Sequence, residues 1–175
     1  MMIKIILDKL LTEEECKNII QIGDELGYKK PTVKTPEGEM VREDIRNNGS
    51  ALVDDTELTN TLFNKFKNDL PQEIDGYKLK GLNEQMKVYR YEVGQQFKMH
   101  KDVPYRPSNN ERSFITMLIY LNEDYKGGET FFIDGNVTAE TGKCLLFQQN
   151  VLHAGIKVTE GVKYAIRTDV MYEKI

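Results

Sequence analysis

The N-terminal part of the chain opens with a short apolar run and then an amphipathic helical pattern. Ile3–Leu7 predicts a β-strand. Thr12 and Glu15 have the spacing of a capping box, which predicts that a helix begins there. Apolar residues then recur at helical spacing up to Gly27, and they are Cys16, Ile19, Ile20 and Leu26. This helix is expected to pack its apolar face on a sheet.

A second helical pattern follows in the middle of the chain. Asp54 or Asp55 provides its N-cap, and Pro71 closes it because proline cannot continue a helix. Its apolar positions are Leu58, Leu62, Phe63, Phe66 and Leu70. Two helices therefore precede the rest of the fold.

From Gln85 onward the pattern changes to short runs rich in β-branched and aromatic residues, which are typical of strands. The predicted strands are Met86–Val93, Gln96–Lys101, Arg112–Leu121, Thr130–Ile133, Lys143–Gln148 and Val162–Tyr172. Glycines separate several of these runs. Helices first and strands afterwards predict an α+β, mainly β fold, an antiparallel sandwich or barrel with helices on one side.

The part of the third predicted strand from Phe114 to Leu121 is apolar on both faces, which places it centrally in the sheet. One face carries Ile115, Met117, Ile119 and Leu121. The other carries Phe114, Thr116, Leu118 and Tyr120. Because the second face includes two hydroxyl groups, we assign it to the interior of the barrel.

Two segments have no clear periodicity and predict loops. Lys29–Ser50 contains prolines, glycines and mixed charges, and we interpret Arg42 and Arg46 as solvated loop charges in it, with contact to a substrate as the alternative. Val103–Asn110 is expected at the mouth of the barrel, where it would form a wall for a substrate. Together the two loops could border a groove for a peptide.

Length and composition indicate one domain covering residues 1–175, with helical support at about 1–80 and a β core at about 84–172. The 24 basic and 28 acidic residues give a net charge of −4, which disfavours a nucleic-acid partner. Cys16 and Cys144 are expected to be reduced and buried, which favours a cytoplasmic location. Charged residues interrupt Met1–Leu11, so the sequence predicts neither a signal peptide nor a membrane span.

The candidate chemistry involves the only two histidines of the chain. His100 and Asp102 are two residues apart, so in an extended segment their side chains leave the same face. His153 lies in a run that predicts the end of a later strand. Two imidazoles and one carboxylate form the facial triad of non-haem Fe(II) oxygenases, which leaves further coordination positions open.

Several segments together resemble the 2-oxoglutarate and Fe(II)-dependent dioxygenases, and within them the prolyl 4-hydroxylase-like branch. The similar segments are Tyr89–Phe97 leading into His100–Asp102, then Ile119–Asn122, Gly127–Thr130, Gly142–Phe147, His153–Gly155 and Gly161–Tyr164. The resemblance covers roughly residues 84–172. It implies a double-stranded β-helix, a cupin-like jelly roll, with flanking N-terminal helices.

The resemblance also implies roles for individual residues. His100, Asp102 and His153 would bind Fe(II), and Lys163 would hold the far carboxylate of the cosubstrate 2-oxoglutarate. Arg167 remains an alternative anchor, because other branches of the superfamily use an arginine for this purpose. The last candidates, Tyr91 and Tyr120, either contact the cosubstrate through their hydroxyl groups or serve in packing.

The implied activity is hydroxylation of an unactivated C–H bond by O2, with release of succinate and CO2. The substrate class that the resemblance favours is a prolyl or other peptidyl residue, and a free amino acid or another small molecule stays open. Ascorbate is a further candidate cofactor. Two other functions are a non-catalytic jelly roll that binds a metal or a partner, and an oxidative nucleic-acid demethylase. The sequence leaves the oligomeric state open.

Overall fold

The computed structural model describes residues 3–175 and contains two α-helices and fifteen strands in that range. Met1 and Met2, with which the predicted N-terminal segment begins, lie outside the described residues. The helices are α1 (Glu13–Leu26) and α2 (Thr56–Phe66), and a 3-10 turn at Lys67–Asp69 follows α2. The strands are β1 (Lys4–Leu7), β2 (Val33–Thr35), β3 (Gly38–Met40), β4 (Gly49–Asp54), β5 (Glu73–Ile74), β6 (Tyr77–Leu82), β7 (Gln85–Tyr91), β8 (Phe97–His100), β9 (Glu111–Tyr120), β10 (Lys126–Gly127), β11 (Thr130–Phe132), β12 (Cys144–Gln148), β13 (His153–Gly155), β14 (Val158–Glu160) and β15 (Lys163–Lys174).

Both helices begin where the sequence predicts. The Thr12 hydroxyl accepts a hydrogen bond from the Glu15 backbone N–H at 3.1 Å, and the Glu15 carboxylate accepts one from the Thr12 N–H at 2.8 Å. These two bonds complete the predicted capping box at the start of α1. Of the two candidate caps of α2, Asp55 accepts from the Leu58 N–H, whereas Asp54 is the last residue of β4.

The main sheet is antiparallel and has the strand order β1-β12-β9-β15-β6-β5. β15 is long enough to pair with two strands along one edge. Its first half, Lys163–Arg167, pairs with β7, and its second half, Val170–Lys174, pairs with β6. β4 continues the sheet beyond β7. β9 and β15 are central strands. One face of each strand packs towards the helices, and the other face points to the opposite side of the sheet.

A smaller antiparallel sheet has the strand order β11-β13-β8. A short pair, β10 with β14, and a hairpin, β2 with β3, complete the described strands. Residues of the large and the small sheet line one cavity between them. The fold is the predicted jelly roll, a double-stranded β-helix with helices on one side.

The helix-facing side of the main sheet forms the apolar core. Ile115, Met117 and Ile119 of β9 are fully buried there and belong to one cluster with residues of both helices. Phe114 was predicted to face the opposite side, and this prediction is wrong. The register between β9 and β15 shifts at Phe114, and its ring packs against Tyr77 and Tyr172 at 5.5 and 5.4 Å. The bulge thus changes the face to which one side chain belongs.

All six strands predicted after residue 85 are present within two residues of their predicted ends. Other strands escaped prediction. β4 and β6 are short strands in which intermediate residues break up the apolar alternation, and the segment interpreted as an irregular loop at Lys29–Ser50 contains the β2–β3 hairpin. Such strands depend on their pairing partners, which the local sequence does not specify.

Cys16 and Cys144 are free and buried, as predicted. Burial raises the pKa of the Cys16 thiol to about 11, and it raises the pKa of the Cys144 thiol further. Both therefore act as small apolar core residues. Within residues 3–175, neither helix has the length and apolar character needed to span a membrane.

Candidate metal centre and active site

Three side chains that lie far apart in the sequence converge at one end of the cavity. His100 ends β8 and His153 begins β13, and the two are register partners across the small sheet. Asp102 follows His100 by two residues. One potential ligand atom from each of the three residues lies within 4.8 Å of the others. His153 starts its strand, so the expectation that it ends one is wrong, although its convergence with the other two residues agrees with the predicted triad.

Both imidazole rings are oriented by the backbone carbonyl that lies two residues earlier in the chain. Nδ1 of His100 lies 2.7 Å from the Lys98 carbonyl oxygen, and Nδ1 of His153 lies 3.0 Å from the Val151 carbonyl oxygen. Because a carbonyl can only accept, each Nδ1 carries the proton and each Nε2 presents a lone pair. Nε2 of His100 lies 3.5 Å from Oδ1 of Asp102, and Nε2 of His153 lies 3.9 Å from Oδ2.

The protonation states also suit metal binding. Burial favours the neutral form of Asp102, but Arg167, the two histidines and the Thr116 hydroxyl outweigh it and hold its pKa well below the ordinary value. Burial lowers the pKa of His153, which keeps that imidazole neutral near pH 7. A carboxylate with two imidazoles whose Nε2 atoms face it is a donor set that fits Fe(II).

Aromatic rings from both sheets pack against the two histidines. Phe97 stacks on His100 with ring centroids 3.4 Å apart, and Phe147 meets His153 edge-on at 4.6 Å. A cavity of about 430 Å³ opens from the triad. Its wall also includes Thr116, Leu118, Tyr91, Lys163 and Arg167 of the main sheet.

Lys163 lies on the wall of this cavity at the start of β15 and is only 4% exposed. Its Nζ donates a hydrogen bond to the Gly128 carbonyl oxygen at 2.6 Å and lies 5.0 Å from the Tyr91 ring centre. Burial lowers the pKa of Lys163 to about 8. No ion pair to a carboxylate of residues 3–175 occupies this ammonium group, so it remains available to an anion in the cavity.

Arg167 lies four residues after Lys163 on the same face of β15, and it has acidic partners. Its Nη2 is 3.3 Å from Oδ2 of Asp102 and 3.0 Å from Oδ1 of Asp169. Burial opposes its charge, but these two carboxylates raise the pKa of Arg167 above its ordinary value. The two candidate anchors therefore differ: Arg167 is already ion-paired, whereas Lys163 contacts a neutral carbonyl.

The two candidate tyrosines occupy different places. Tyr91 lines the cavity, and burial raises the pKa of its hydroxyl to about 12, so it stays a neutral donor. Tyr120 is fully buried behind the wall, where its hydroxyl is 2.5 Å from the Thr130 hydroxyl. Thr130 itself lines the cavity. The structure thus brings Tyr91 to the site and uses Tyr120 as a packing residue with a bonded hydroxyl.

Arg46 is buried, so the prediction that it is a solvated loop charge is wrong. It is only 7% exposed, and its guanidinium lies between the rings of Tyr89 and Phe97 at 4.4 and 4.5 Å. Nε donates to Asn48 Oδ1 at 2.8 Å, while Nη2 is buried without a partner among the described residues. Arg46 lines the cavity, whereas Arg42 is exposed as predicted. The only sequence signal for the burial of Arg46 would have been its position just before β4. That strand was not predicted.

The mouth of the cavity is bordered by the two predicted loop segments. The β2–β3 hairpin contributes Thr32, Val33, Thr35 and Glu39, and the segment after the triad contributes Val103. The backbone N–H of Tyr105 donates to the Ser113 hydroxyl at 2.8 Å, which fixes the second segment to the main sheet. Both segments therefore contribute to the wall of the cavity.

Comparisons with known proteins agree with this geometry. Residues 86–168 match the family model described as "2OG-Fe(II) oxygenase superfamily". Prolyl 4-hydroxylase 2 of Arabidopsis thaliana is 25% identical over 201 residues, covering 91% of this chain and 64% of the relative. Probable prolyl 4-hydroxylase 10 of the same plant is 29% identical over 138 residues, covering 74% of this chain and 45% of the relative. The chain thus spans about half to two thirds of the length of these curated relatives.

Two solved structures share the fold. A viral collagen prolyl hydroxylase of Paramecium Bursaria Chlorella virus-1, in a 2OG complex, has a TM-score of 0.69 and 20% identity, covering 97% of this chain and 96% of that one. A prolyl hydroxylase of Trichoplax adhaerens, in complex with a hypoxia inducible factor peptide fragment, has a TM-score of 0.68 and 18% identity. The match covers 98% of this chain and 83% of that one. The chain is similar to the 2OG-Fe(II) oxygenases over residues 86–168, and the relatives that it resembles are prolyl 4-hydroxylases.

Proposed function

We propose that the protein is a 2-oxoglutarate and Fe(II)-dependent dioxygenase that hydroxylates an unactivated C–H bond of a prolyl or other peptidyl residue. Succinate and CO2 would be the other products. The observation that carries the proposal is the convergence of His100, Asp102 and His153 on one point, with both imidazoles oriented by backbone carbonyls. The similarity to the 2OG-Fe(II) oxygenases and to prolyl 4-hydroxylases supports this chemistry for such a site.

In this proposal the triad holds Fe(II), which when bound supplies the activation of O2. Lys163 provides the cation for the far carboxylate of 2-oxoglutarate, and Tyr91 is a neutral donor beside it. An ammonium group without an acidic partner forms a charge-assisted hydrogen bond with a carboxylate more readily than an arginine that is already paired. Phe97 and Phe147 cover the histidines and help to exclude water from the site.

The cavity also offers a contact for the substrate. Nη2 of Arg46 is a buried, charged donor without a partner among the residues that the structure describes, and leaving such a donor unpaired is costly. A carbonyl oxygen of a bound peptide would pair with it. The β2–β3 hairpin and the segment around Val103 both line the cavity, and they would provide contacts for an extended peptide. One of the similar solved structures is a complex with a peptide, which adds support for this substrate class.

The proposal extends to the remaining properties of the chain. We propose that residues 1–175 form one domain, because α1 and α2 share one apolar core with the main sheet. Ascorbate would support turnover as a reductant. The two free, buried cysteines support a reducing, cytoplasmic compartment.

The test is a turnover assay with purified protein, Fe(II), 2-oxoglutarate and ascorbate. Proline-containing peptides would be compared with matched peptides in which alanine replaces each proline, and with free proline. We expect succinate formation that depends on a peptide of the first set, together with a product heavier by one oxygen atom in mass spectrometry. The Asp102→Ala variant is the control, and it should form no product.

The same assay separates the alternatives. Metal and 2-oxoglutarate binding without succinate formation on any substrate would favour a non-catalytic jelly roll. Oxidation of a methylated oligonucleotide, with a steep dependence of binding on salt, would favour a nucleic-acid demethylase. The net charge of −4 opposes the last function, since the chain carries no surplus of cations for a phosphate backbone.

A further inference from the structure

The two oxygens of the Asp102 carboxylate have different surroundings. Oδ2 accepts a hydrogen bond from the Thr116 hydroxyl at 2.5 Å and lies 3.3 Å from Nη2 of Arg167. Oδ1 has neither contact and lies 3.5 Å from Nε2 of His100. One oxygen is therefore held by the protein, and the other keeps its lone pairs for a ligand.

Arg167 is itself held by a chain of buried polar groups. Its guanidinium contacts Oδ1 of Asp169 at 3.0 Å, and the Gln149 amide N–H donates to the same carboxylate at 2.6 Å. The Gln149 amide oxygen accepts from the Ser113 hydroxyl at 2.9 Å. That hydroxyl accepts in turn from the backbone N–H of Tyr105 in the segment after the triad.

The direction of each bond in this chain is fixed by its neighbours. A backbone N–H can only donate, so the Ser113 oxygen accepts there and its proton points to the amide oxygen of Gln149. The amide N–H of Gln149 must then point to Asp169. Asp169 is left as an acceptor for Arg167, and Arg167 as a donor towards Asp102. A network in which every bond has one possible direction holds its members in one arrangement.

We propose that Arg167 is a positioning residue for the metal ligand Asp102, and that it does not anchor the cosubstrate. Together with Thr116 it fixes Oδ2 so that Asp102 offers Oδ1 alone to the metal. Groups that contact a metal ligand from behind tune metal affinity by this kind of orientation. The proposal rests on the proposed function, because it takes the triad to be a metal centre.

The test measures metal binding apart from turnover, with Co(II) as the probe in the absence of 2-oxoglutarate. Calorimetry would give the Kd, and the visible absorption of Co(II) would report its coordination. We expect Arg167→Gln to weaken Co(II) binding about 10- to 100-fold and to change the spectrum. Arg167→Lys keeps the charge and should restore part of the affinity.

Lys163→Ala is the matched control from the same strand face. It should leave the Kd for Co(II) within about threefold of the wild type, because Lys163 lies away from Asp102 and contacts Gly128. At saturating metal the order should reverse, and Lys163→Ala should raise the KM for 2-oxoglutarate more than Arg167→Gln does. This reversal separates positioning of a metal ligand from binding of the cosubstrate.

Circular dichroism and thermal unfolding would establish that each variant is folded. If Arg167→Gln does not fold, Asp169→Asn provides a second route, since it weakens the support of Arg167 and should also weaken Co(II) binding. A folded variant of either kind with the Co(II) affinity and spectrum of the wild type would overturn the role of Arg167 alone. Absence of Co(II) binding by the wild-type protein would instead overturn the metal centre, and with it the proposed function.

Discussion

The two faces of the central strands β9 and β15 differ in polarity and in role, although successive residues of the same strands supply them. On the helix side, Ile115, Met117 and Ile119 are fully buried in an apolar cluster. On the cavity side, Thr116 and Arg167 contact the carboxylate of Asp102. A side-chain period of two residues thus separates the apolar core from the chemistry within one sheet.

The difference shows how the fold can keep charged groups at its centre. Burial of the apolar face contributes roughly 25 cal/mol per Å² of apolar surface removed from water, which supports the sheet. The cavity face carries groups whose burial is unfavourable without partners. Most of them have partners, as in the contacts of Arg167 with Asp102 and Asp169. Among residues 3–175, Lys163 has no carboxylate partner and Nη2 of Arg46 has no hydrogen-bond partner, and these are the groups that we assign to ligands.

The largest effect on the cavity face should come from Asp102→Ala. We expect loss of substrate hydroxylation by at least about 1,000-fold, because the variant lacks the only carboxylate of the triad. The thermal midpoint should stay within a few degrees of the wild type, since the helix-side core is unchanged. A succinate assay and a thermal unfolding curve would measure both. Near-normal turnover in the folded variant would contradict the assignment of the metal centre.

On the helix side, Met117→Ala should lower the stability of the protein and leave metal binding unchanged. Truncation of this fully buried side chain should lower the free energy of unfolding by about 2–5 kcal/mol. The Kd for Co(II) should be unchanged in the folded protein. Leu118→Ala is the matched control, because Leu118 is the next residue on β9 and lines the cavity. Denaturant titration should show a smaller loss of stability for Leu118→Ala than for Met117→Ala.

Arg46→Leu should weaken binding of the peptide substrate and leave binding of 2-oxoglutarate unchanged. We expect the KM of a peptide substrate to rise about tenfold, as for the loss of one hydrogen bond to a charged group. The KM for 2-oxoglutarate should be unchanged, since Lys163 is retained. Arg42→Leu is the control, because Arg42 is an exposed arginine of the same segment. Equal peptide KM values for the two variants would exclude a substrate contact by Arg46.

The smallest effect should be a pH dependence of cosubstrate binding. The pKa of Lys163 is lowered to about 8 by burial, so its charge is present below that pH and is lost as the pH rises through it. The KM for 2-oxoglutarate should therefore rise about threefold between pH 7.5 and 8.5. Lys163→Arg keeps its charge in this range, and its KM should be flat. A KM profile of the wild type that is equally flat would argue against an anchoring role for Lys163.

Local sequence patterns predicted much of the fold, and the errors have physical causes. The capping box at Thr12 and the periodicity of the core strands are local signals, and the structure confirms them. Phe114 was assigned to the wrong face because a bulge depends on the pairing of β9 with β15. Arg46 was interpreted as solvated because its burial requires Tyr89 and Phe97, which lie more than forty residues away in the chain.

The sequence by itself determined the two helices, the core strands and the candidate ligands, because residue spacing and residue type are local properties. Only the tertiary structure decided which atoms meet. The pairing of β8 with β13 places His100 opposite His153, and the pairing of β15 with β9 brings Arg167 to Asp102. The sequence offered Lys163 as the anchor and Arg167 as the alternative, and packing distinguishes them because it gives Arg167 acidic partners.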